Sequence, residues 1–554
     1  MKWRGLLLLS IAICMLTLSA AQSRAAVYQW HTFYGAVGGT TYGTGISVDG
    51  GGNVYITGYS SASWNGPGSC TVAGVPPCPL HASGNNFVLK LDSTGAYQWH
   101  TFYGGTNSSA DSGIAVDSSG NVYMTGYSYA SWNGPGSCTI AGTSPCPLND
   151  FSGNYDSFVL KLDTNGAYQW HTFYGSSGYD LGHGIAVDGS DNVYVTGQSD
   201  SSWGLPLHPY SGGWYNLFVL KLDSGGAHQW HTFYGSSDSG ALDYGNSIAV
   251  DGSGNIYVAG KSDVAWGSPI NKHTVGDLNV FVLKLDNSGT YQWHTFYGPS
   301  NNNHGVGLAL DSDRNIYVTG SGAGWTGTAL HDWSGGWDVF VLKLNTDGIY
   351  QWHTFYGSGN DEYGYGIAVD GSSNVYVTGT GNGTWGSPLS AYSGNYDVFL
   401  LKLNSSGTYQ WNSFYGSGNN DEGWSVAVGT NGKVYVTGGS YATWGSPLHA
   451  FIGTESVFVL KLDDQDGSVR VIRGGNPFNS YSKLQNAYNA AADGDTIQAQ
   501  TMVFSESLTF GANIAVLLKG GYNYDFVLNP LMTTVNGIFT ISGGVVTVDN
   551  IIIN

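Results

Sequence analysis

The heptapeptide QWHTFYG occurs at Gln29, Gln98, Gln169, Gln229, Gln292 and Gln351, and an altered copy, QWNSFYG, at Gln410. A histidine between tryptophan and threonine, repeated this often, raises the possibility of metal ligation or general-base chemistry. Strand alternation places Trp30, Thr32 and Tyr34 on one face and His31 and Phe33 on the other. Successive copies fall on separate units, so their imidazoles cannot gather the three or four ligands a metal needs. No copy sets a Ser or Cys nucleophile beside a carboxylate at a repeated position, and Asn412 replaces the histidine in the last copy. The histidine is expected to be part of a packed wall.

Three other sets of residues could carry chemistry. Asp49, Asp117, Asp188, Asp251, Asp311 and Asp370 open DGSGN-like turns, with Gly429 breaking the series. The pattern has the opening of a calcium loop but not its bidentate glutamate, so turn capping is expected. Acidic residues gather before the GIAVD-type runs: Asp180, Asp243, Asp361 with Glu362, and Asp421 with Glu422, near His183 and His304 in sequence. Paired carboxylates can hold a cation or serve as acid and base, although solvated acidic loops look the same in sequence. One tryptophan per unit follows the NVYVTG-type runs, at Trp64, Trp132, Trp203, Trp266, Trp325, Trp385 and Trp444. Each indole could stack on a sugar ring or pin its loop to a neighbour. These tryptophans and Asp361, Glu362, Asp421 and Glu422 are the candidate ligand contacts. Neither a cofactor nor a metal set is expected.

Composition bounds the class. Of 554 residues only 10% are charged, 14% are aromatic and 85 are glycine, which suits strands and turns with aromatic cores. Formal charge is −20, and such a surface repels nucleic acid and anionic membrane. The N-terminus reads as a secretory signal over residues 1–25, with Lys2 and Arg4 before an apolar run too short to span a bilayer. Cys14 lies inside that run. Its removal leaves SCTVAGVPPCP (Cys70, Cys78) and SCTIAGTSPCP (Cys138, Cys146). Equal spacing in an exported chain predicts the disulfides Cys70–Cys78 and Cys138–Cys146. The expected location is secreted, periplasmic or cell-surface, with no transmembrane segment.

The elements that must position these residues repeat in phase. GIAVD-type runs begin at Gly45, Gly113, Gly184, Ser247, Gly307, Gly366 and Ser425, each followed by an NVYVTG-type and an FVLKLD-type run. Alternating Val, Ile, Tyr and Phe between glycine turns predicts four antiparallel strands per unit. Seven such units predict an all-β, seven-bladed β-propeller over residues 26–464. The chain begins with an outer strand and its last FVLKLD has none after it, so Tyr28–Gly35 is expected to pair with Phe458–Asp463 and close the ring. The alternative donor is Ser468–Gly474. The two long connections, after NVYVTG and after QWHTFYG, are expected on one face, where variable loops could bind.

The order GIAVDGSGNVYVTG…FVLKLDSSG resembles the bacterial seven-bladed β-propeller (SBBP) repeat and, more distantly, NHL-type blades. The resemblance implies an exported propeller and fixes no reaction. Residues 465–554 differ: YSKLQNAYNAAADGDTIQAQ predicts a capping helix with Ser482 and Gln485 as capping box and Gly494 as stop. The short Val/Ile/Thr strands that follow resemble the start of a pectate-lyase-type right-handed β-helix, whose last coil would leave an edge for association.

Three functions fit: a non-enzymatic exported protein presenting a loop face to a glycan or extracellular protein, a polysaccharide lyase or hydrolase using loop carboxylates, or a structural surface scaffold.

Overall fold

The computed structural model describes residues 26–82, 84–105, 113–274, 278–298, 304–325, 327–429, 432–464, 469–481, 483–500, 503–504, 506–522 and 532–554. The expected signal at 1–25 lies outside them. Seven four-stranded antiparallel sheets follow one another, each ordered from inner to outer strand. Blade 1 consists of Thr41–Val48, Val54–Ser60, Asn86–Leu91 and Tyr97–Tyr103. Blades 2 to 6 repeat it over 114–174, 180–234, 243–297, 304–356 and 362–415.

Blade 7 supplies Asp421–Val428, Lys433–Ser440 and Ser456–Asp463, and its outer strand is Val27–Tyr34 from the other end of the chain. Phe33 faces Phe458 and His31 faces Leu460 in antiparallel register. The expected closure is the observed one. The alternative donor instead forms Val469–Arg473, paired with Asn476–Tyr481 and Thr496–Gln500.

The second and third strands of each blade are buried on both faces, because every sheet lies between two others. That is why they read as unbroken apolar runs rather than alternating ones. The core is therefore interblade: Ile56, Leu89 and Phe102 of blade 1 pack with Tyr435 and Val457 of blade 7 across the closure.

The long connection after the second strand departs from expectation. It does not stand on a face but folds down over the outer edge of its own blade. In every blade two backbone amides join it to the outer strand, as in Leu207 N to His231 O and Phe233 N to His208 O. The same pair recurs from Leu80 with His100 to Leu448 with His31. An outer strand left bare would offer unpaired amides to other chains, and this strap occupies them.

The six turn aspartates behave as expected of caps. Asp49 accepts from the amides of Gly51 and Asn53, the Asn53 side chain and the Tyr55 hydroxyl. The hairpin uses the whole carboxylate.

Val469–Arg473 is antiparallel to both of its neighbours, and from Thr496 onward successive strands pair in parallel. Thr496–Gln500, Ala515–Tyr522 and Val545–Asp549 form one ladder. Val503–Phe504, Thr533–Val535 and Ile551–Ile553 form a second, and Leu508–Phe510 with Phe539–Ile541 a third. The helix runs Leu484–Ala490. The proposed capping box is not what starts it: Lys483 is the N-cap without a side-chain bond, and Glu506 accepts from the amides of Leu484 and Gln485. Ser482 lies outside the described residues. Among the described residues no helix is long and apolar enough to cross a membrane.

Candidate rim and face sites

The histidine of QWHTFYG is buried between blades. His171 Nε2 lies 2.8 Å from the Trp132 carbonyl oxygen, which can only accept, so the proton resides on Nε2. Nδ1 is then free to accept from the Tyr168 hydroxyl at 2.7 Å. The imidazole stacks on the Trp132 ring at 3.9 Å, and the motif repeats at His31, His100, His231 and His294. Burial lowers each of these five to about 4, so they are neutral at pH 7. Asn412 reproduces both bonds, donating to the Trp385 carbonyl and accepting from Tyr409. That substitution explains why the last copy can do without imidazole. The histidine has a structural role.

The same stacking settles where the candidate tryptophans are. Trp64, Trp132, Trp203, Trp266, Trp385 and Trp444 are only 5–9% exposed, and Trp325 is half-buried. They form the backs of the straps, not a ring of open plates on a face.

The candidate acids are divided by the strand pleat. Asp361 and Glu422 are partly exposed, whereas Glu362 and Asp421 are fully buried. Each buried acid meets a second one at the start of the third strand: Glu362 meets Asp338 and Asp421 meets Asp397, both beside the last glycine of QWHTFYG. Asp180 and Asp156 do the same between blades 3 and 2, where a Cβ on Gly175 would lie 2.8 and 2.7 Å from their oxygens. This close approach requires glycine.

Serine donors hold the outer oxygens, as Ser152 does for Asp156 and Ser176 for Asp180. The remaining oxygen of Asp156 and of Asp338 has no partner. Burial, aided by the neighbouring acid, pushes Asp180 to about 6 and Glu362 to about 7; burial pushes Asp338 to about 6. In blade 3 the equivalent residue is Asn216, whose amide donates to the Gly212 carbonyl oxygen. The unpartnered position thus calls for a hydrogen, and a protonated carboxyl supplies it. These acids are sealed from solvent and cannot reach a substrate. Among the described residues no group of three or more metal-binding side chains occurs.

Open space lies between blades at the outer rim. A cleft of about 620 Å³ between blades 3 and 4 is lined by His208, Tyr210, Tyr234, Trp266, Ser268 and Tyr291. An equivalent cleft of about 550 Å³ separates blades 6 and 7, with Tyr415, Trp444, Ser446 and Tyr28. A third, about 510 Å³, separates blades 1 and 2, with Tyr103, Pro145 and Tyr168. In each, a tyrosine ends one outer strand and another begins the next, with ring centres 6.0 Å apart for Tyr234–Tyr291 and for Tyr103–Tyr168. The sequence hid these clefts because their two tyrosines belong to successive copies of one motif.

Five stretches, 29–63, 98–131, 169–202, 229–265 and 351–384, match the family described as beta-propeller repeat, SBBP. These are SBBP repeats. An uncharacterized WD repeat-containing protein of Acanthamoeba polyphaga mimivirus is 21% identical over 503 residues, covering 73% of this chain and 36% of that protein. Regulatory protein FlaEY of Caulobacter vibrioides is 29% identical over 160 residues, 28% of this chain and 16% of its own. The chain thus spans well under half the length of either relative. Among solved structures, hydrazine synthase of Kuenenia stuttgartiensis aligns with TM-score 0.41 and 13% identity over 71% of this chain and 92% of that one. Virginiamycin B lyase of Staphylococcus aureus aligns with TM-score 0.40 and 9% identity over 78% and 98%. Neither lends this chain an activity.

Within the SBBP array the two expected disulfides, Cys70–Cys78 and Cys138–Cys146, are present. Both lie in straps of the repeats that flank the cleft between blades 1 and 2, where Gly74 and Pro145 form part of the wall.

Proposed function

We propose that the chain is an exported, non-enzymatic binding protein that holds glycans in the clefts between its SBBP blades. One observation carries the reading: a pair of tyrosines from adjacent blades lining a cleft at three equivalent rim positions, two of them backed by a tryptophan. Aromatic faces pack against the C–H faces of sugars while nearby hydroxyls and imidazole bond their oxygens. Trp266 and Trp444 contribute as cleft walls. Repeated weak sites on one rigid ring would raise avidity for a polymeric ligand without any strong single contact.

The lyase or hydrolase alternative is weaker, since the acids that come together are buried. Export rests on the signal at 1–25 and on the disulfides, which suit an oxidising compartment. We assign 26–464 to the propeller and 465–554 to a short right-handed β-helix, a reading supported by the three parallel ladders. Exposed Val545, Val548 and Ile552 support association through its last strands.

The test is retention on immobilised neutral polysaccharides, comparing the parent with Tyr291→Ala and with Tyr28→Ala plus Tyr291→Ala. Loss of one stacking contact should weaken a cleft about 5–10-fold, so retention should fall stepwise. Unchanged retention in the double variant would refute the rim assignment.

A further inference from the structure

One position in the repeat is occupied by seven different residues: Thr44, Ser112, His183, Asn246, Val306, Tyr365 and Trp424. The residue after it is glycine or serine in every copy. In blades 1, 3, 4, 6 and 7 the register of the inner strand slips at this residue, between Gly182 and Gly184 for example. An inserted residue of this kind leaves the ladder and its side chain is aimed anew. In blades 1, 3 and 4 it lines the central channel, where inner strands press together so closely that a Cβ on Gly184 would lie 3.1 Å from the Asn246 carbonyl oxygen.

The channel is consequently lopsided. Thr44, His183, Asn246 and Ser425 line a cavity of about 180 Å³ on its axis. Asn246 Oδ1 is buried there with no hydrogen-bond partner, an acceptor left without a donor at a cost in free energy. In blades 6 and 7 the same position is aromatic, and Tyr365 and Trp424 stack on each other with ring centres 4.7 Å apart, outside the lining of that cavity. A sevenfold scaffold needs no such asymmetry, and the core positions around it scarcely vary: Ile46, Ile114, Ile185, Ile248, Leu308, Ile367 and Val426.

We infer that the channel holds a single saccharide ring, distinct from the rim clefts and present once per chain. Thr44, His183 and Asn246 supply hydrogen bonds, the orphan Oδ1 of Asn246 accepting from a ligand hydroxyl. The volume lies below the about 300–1,000 Å³ of pockets for drug-sized ligands, so it admits one ring and not a chain. An acidic protein of charge −20 selects against anionic sugars. The inference deepens the glycan reading and rests on it for the ligand class.

The experiment titrates the full chain calorimetrically with methyl glycosides of neutral hexoses and N-acetylhexosamines. At least one glycoside should bind at one site per chain. His183→Leu and, separately, Asn246→Leu should each weaken it tenfold or more, while Tyr28→Ala plus Tyr291→Ala leaves it unchanged. Matching thermal midpoints would establish that the channel variants fold. Binding that survives both channel substitutions overturns the inference, as does the absence of any one-per-chain site when polysaccharide retention persists; the latter leaves the rim reading intact. Retention lost in Asn246→Leu but not in the rim double variant supports the channel and refutes the rim.

Discussion

Two sets of buried side chains titrate against each other. The five neutral histidines have folded values near 4 against about 6.5 unfolded. Their contribution is full above pH 6.5 and is lost as pH falls toward 4. The paired acids run the other way. Asp180, Asp338 and Asp397 near 6 and Glu362 near 7 are raised by burial, so their penalty is complete above about pH 7 and is relieved as pH falls. Between about pH 4 and 7 the two sets therefore oppose each other, the histidines making midpoints rise with pH and the acids making them fall, and above about pH 7 neither changes them further. Asp338→Asn, which copies Asn216, should raise stability at pH 8 by about 1–3 kcal/mol, and the gain should shrink as pH falls and vanish below about pH 4, where the carboxyl is protonated in both states. His171→Asn, which copies Asn412, should flatten the acid side and leave the alkaline side alone. An acid limb unmoved by His171→Asn would mean that other groups govern acid unfolding.

Each strap also grips the following blade. Leu207 lies over Gly289 and Trp230, so that a Cβ on Gly289 would sit 2.6 Å from Leu207 Cδ1. Gly289 has φ +82°, so alanine there is disfavoured twice over. Gly289→Ala should cost about 1–3 kcal/mol, measurable as a shift of the urea midpoint at constant slope. A neutral result would show that the strap moves freely.

The strap is also where sequence reading runs out. Strand positions were legible because a period of two is local, and the closure followed from counting strands at each end. The disulfides followed from spacing, and the wall role of the histidine from its scatter and from Asn412. The straps have no period: Leu207 and His208 pair with His231 and Phe233 only because the blade edge runs alongside. The burial of Glu362 beside Asp338 depends on two turns meeting over Gly357, which no single stretch encodes. The channel residues escaped because the register slip that aims them is decided between strands.

The ring as a whole is completed by one ion pair. In other blades the lysine of FVLKLD donates to a turn carbonyl of the next blade, as Lys161 does to Ser224 and Lys343 to Ser405. Between blades 6 and 7 that turn is missing, since the outer strand of blade 7 comes from the opposite end of the chain. Asp464 takes its place, accepting from Lys402 Nζ at 2.6 Å, Trp411 Nε1 at 3.1 Å and the Tyr376 hydroxyl. The pair is almost wholly buried, so removing one partner strands a charge. Asp464→Ala should cost about 3–5 kcal/mol, whereas Lys402→Met with Asp464→Leu should recover most of it, as read from unfolding free energies. Equal losses in both would assign the effect to packing. The register of Val27 with Asp463 also sets a timetable for synthesis. At about 5–20 residues per second, the first strand made must wait on the order of half a minute or more for its neighbour. Throughout that interval six nascent blades expose an unsealed seam, which makes premature capture by a second chain's leading strand the characteristic hazard of this architecture.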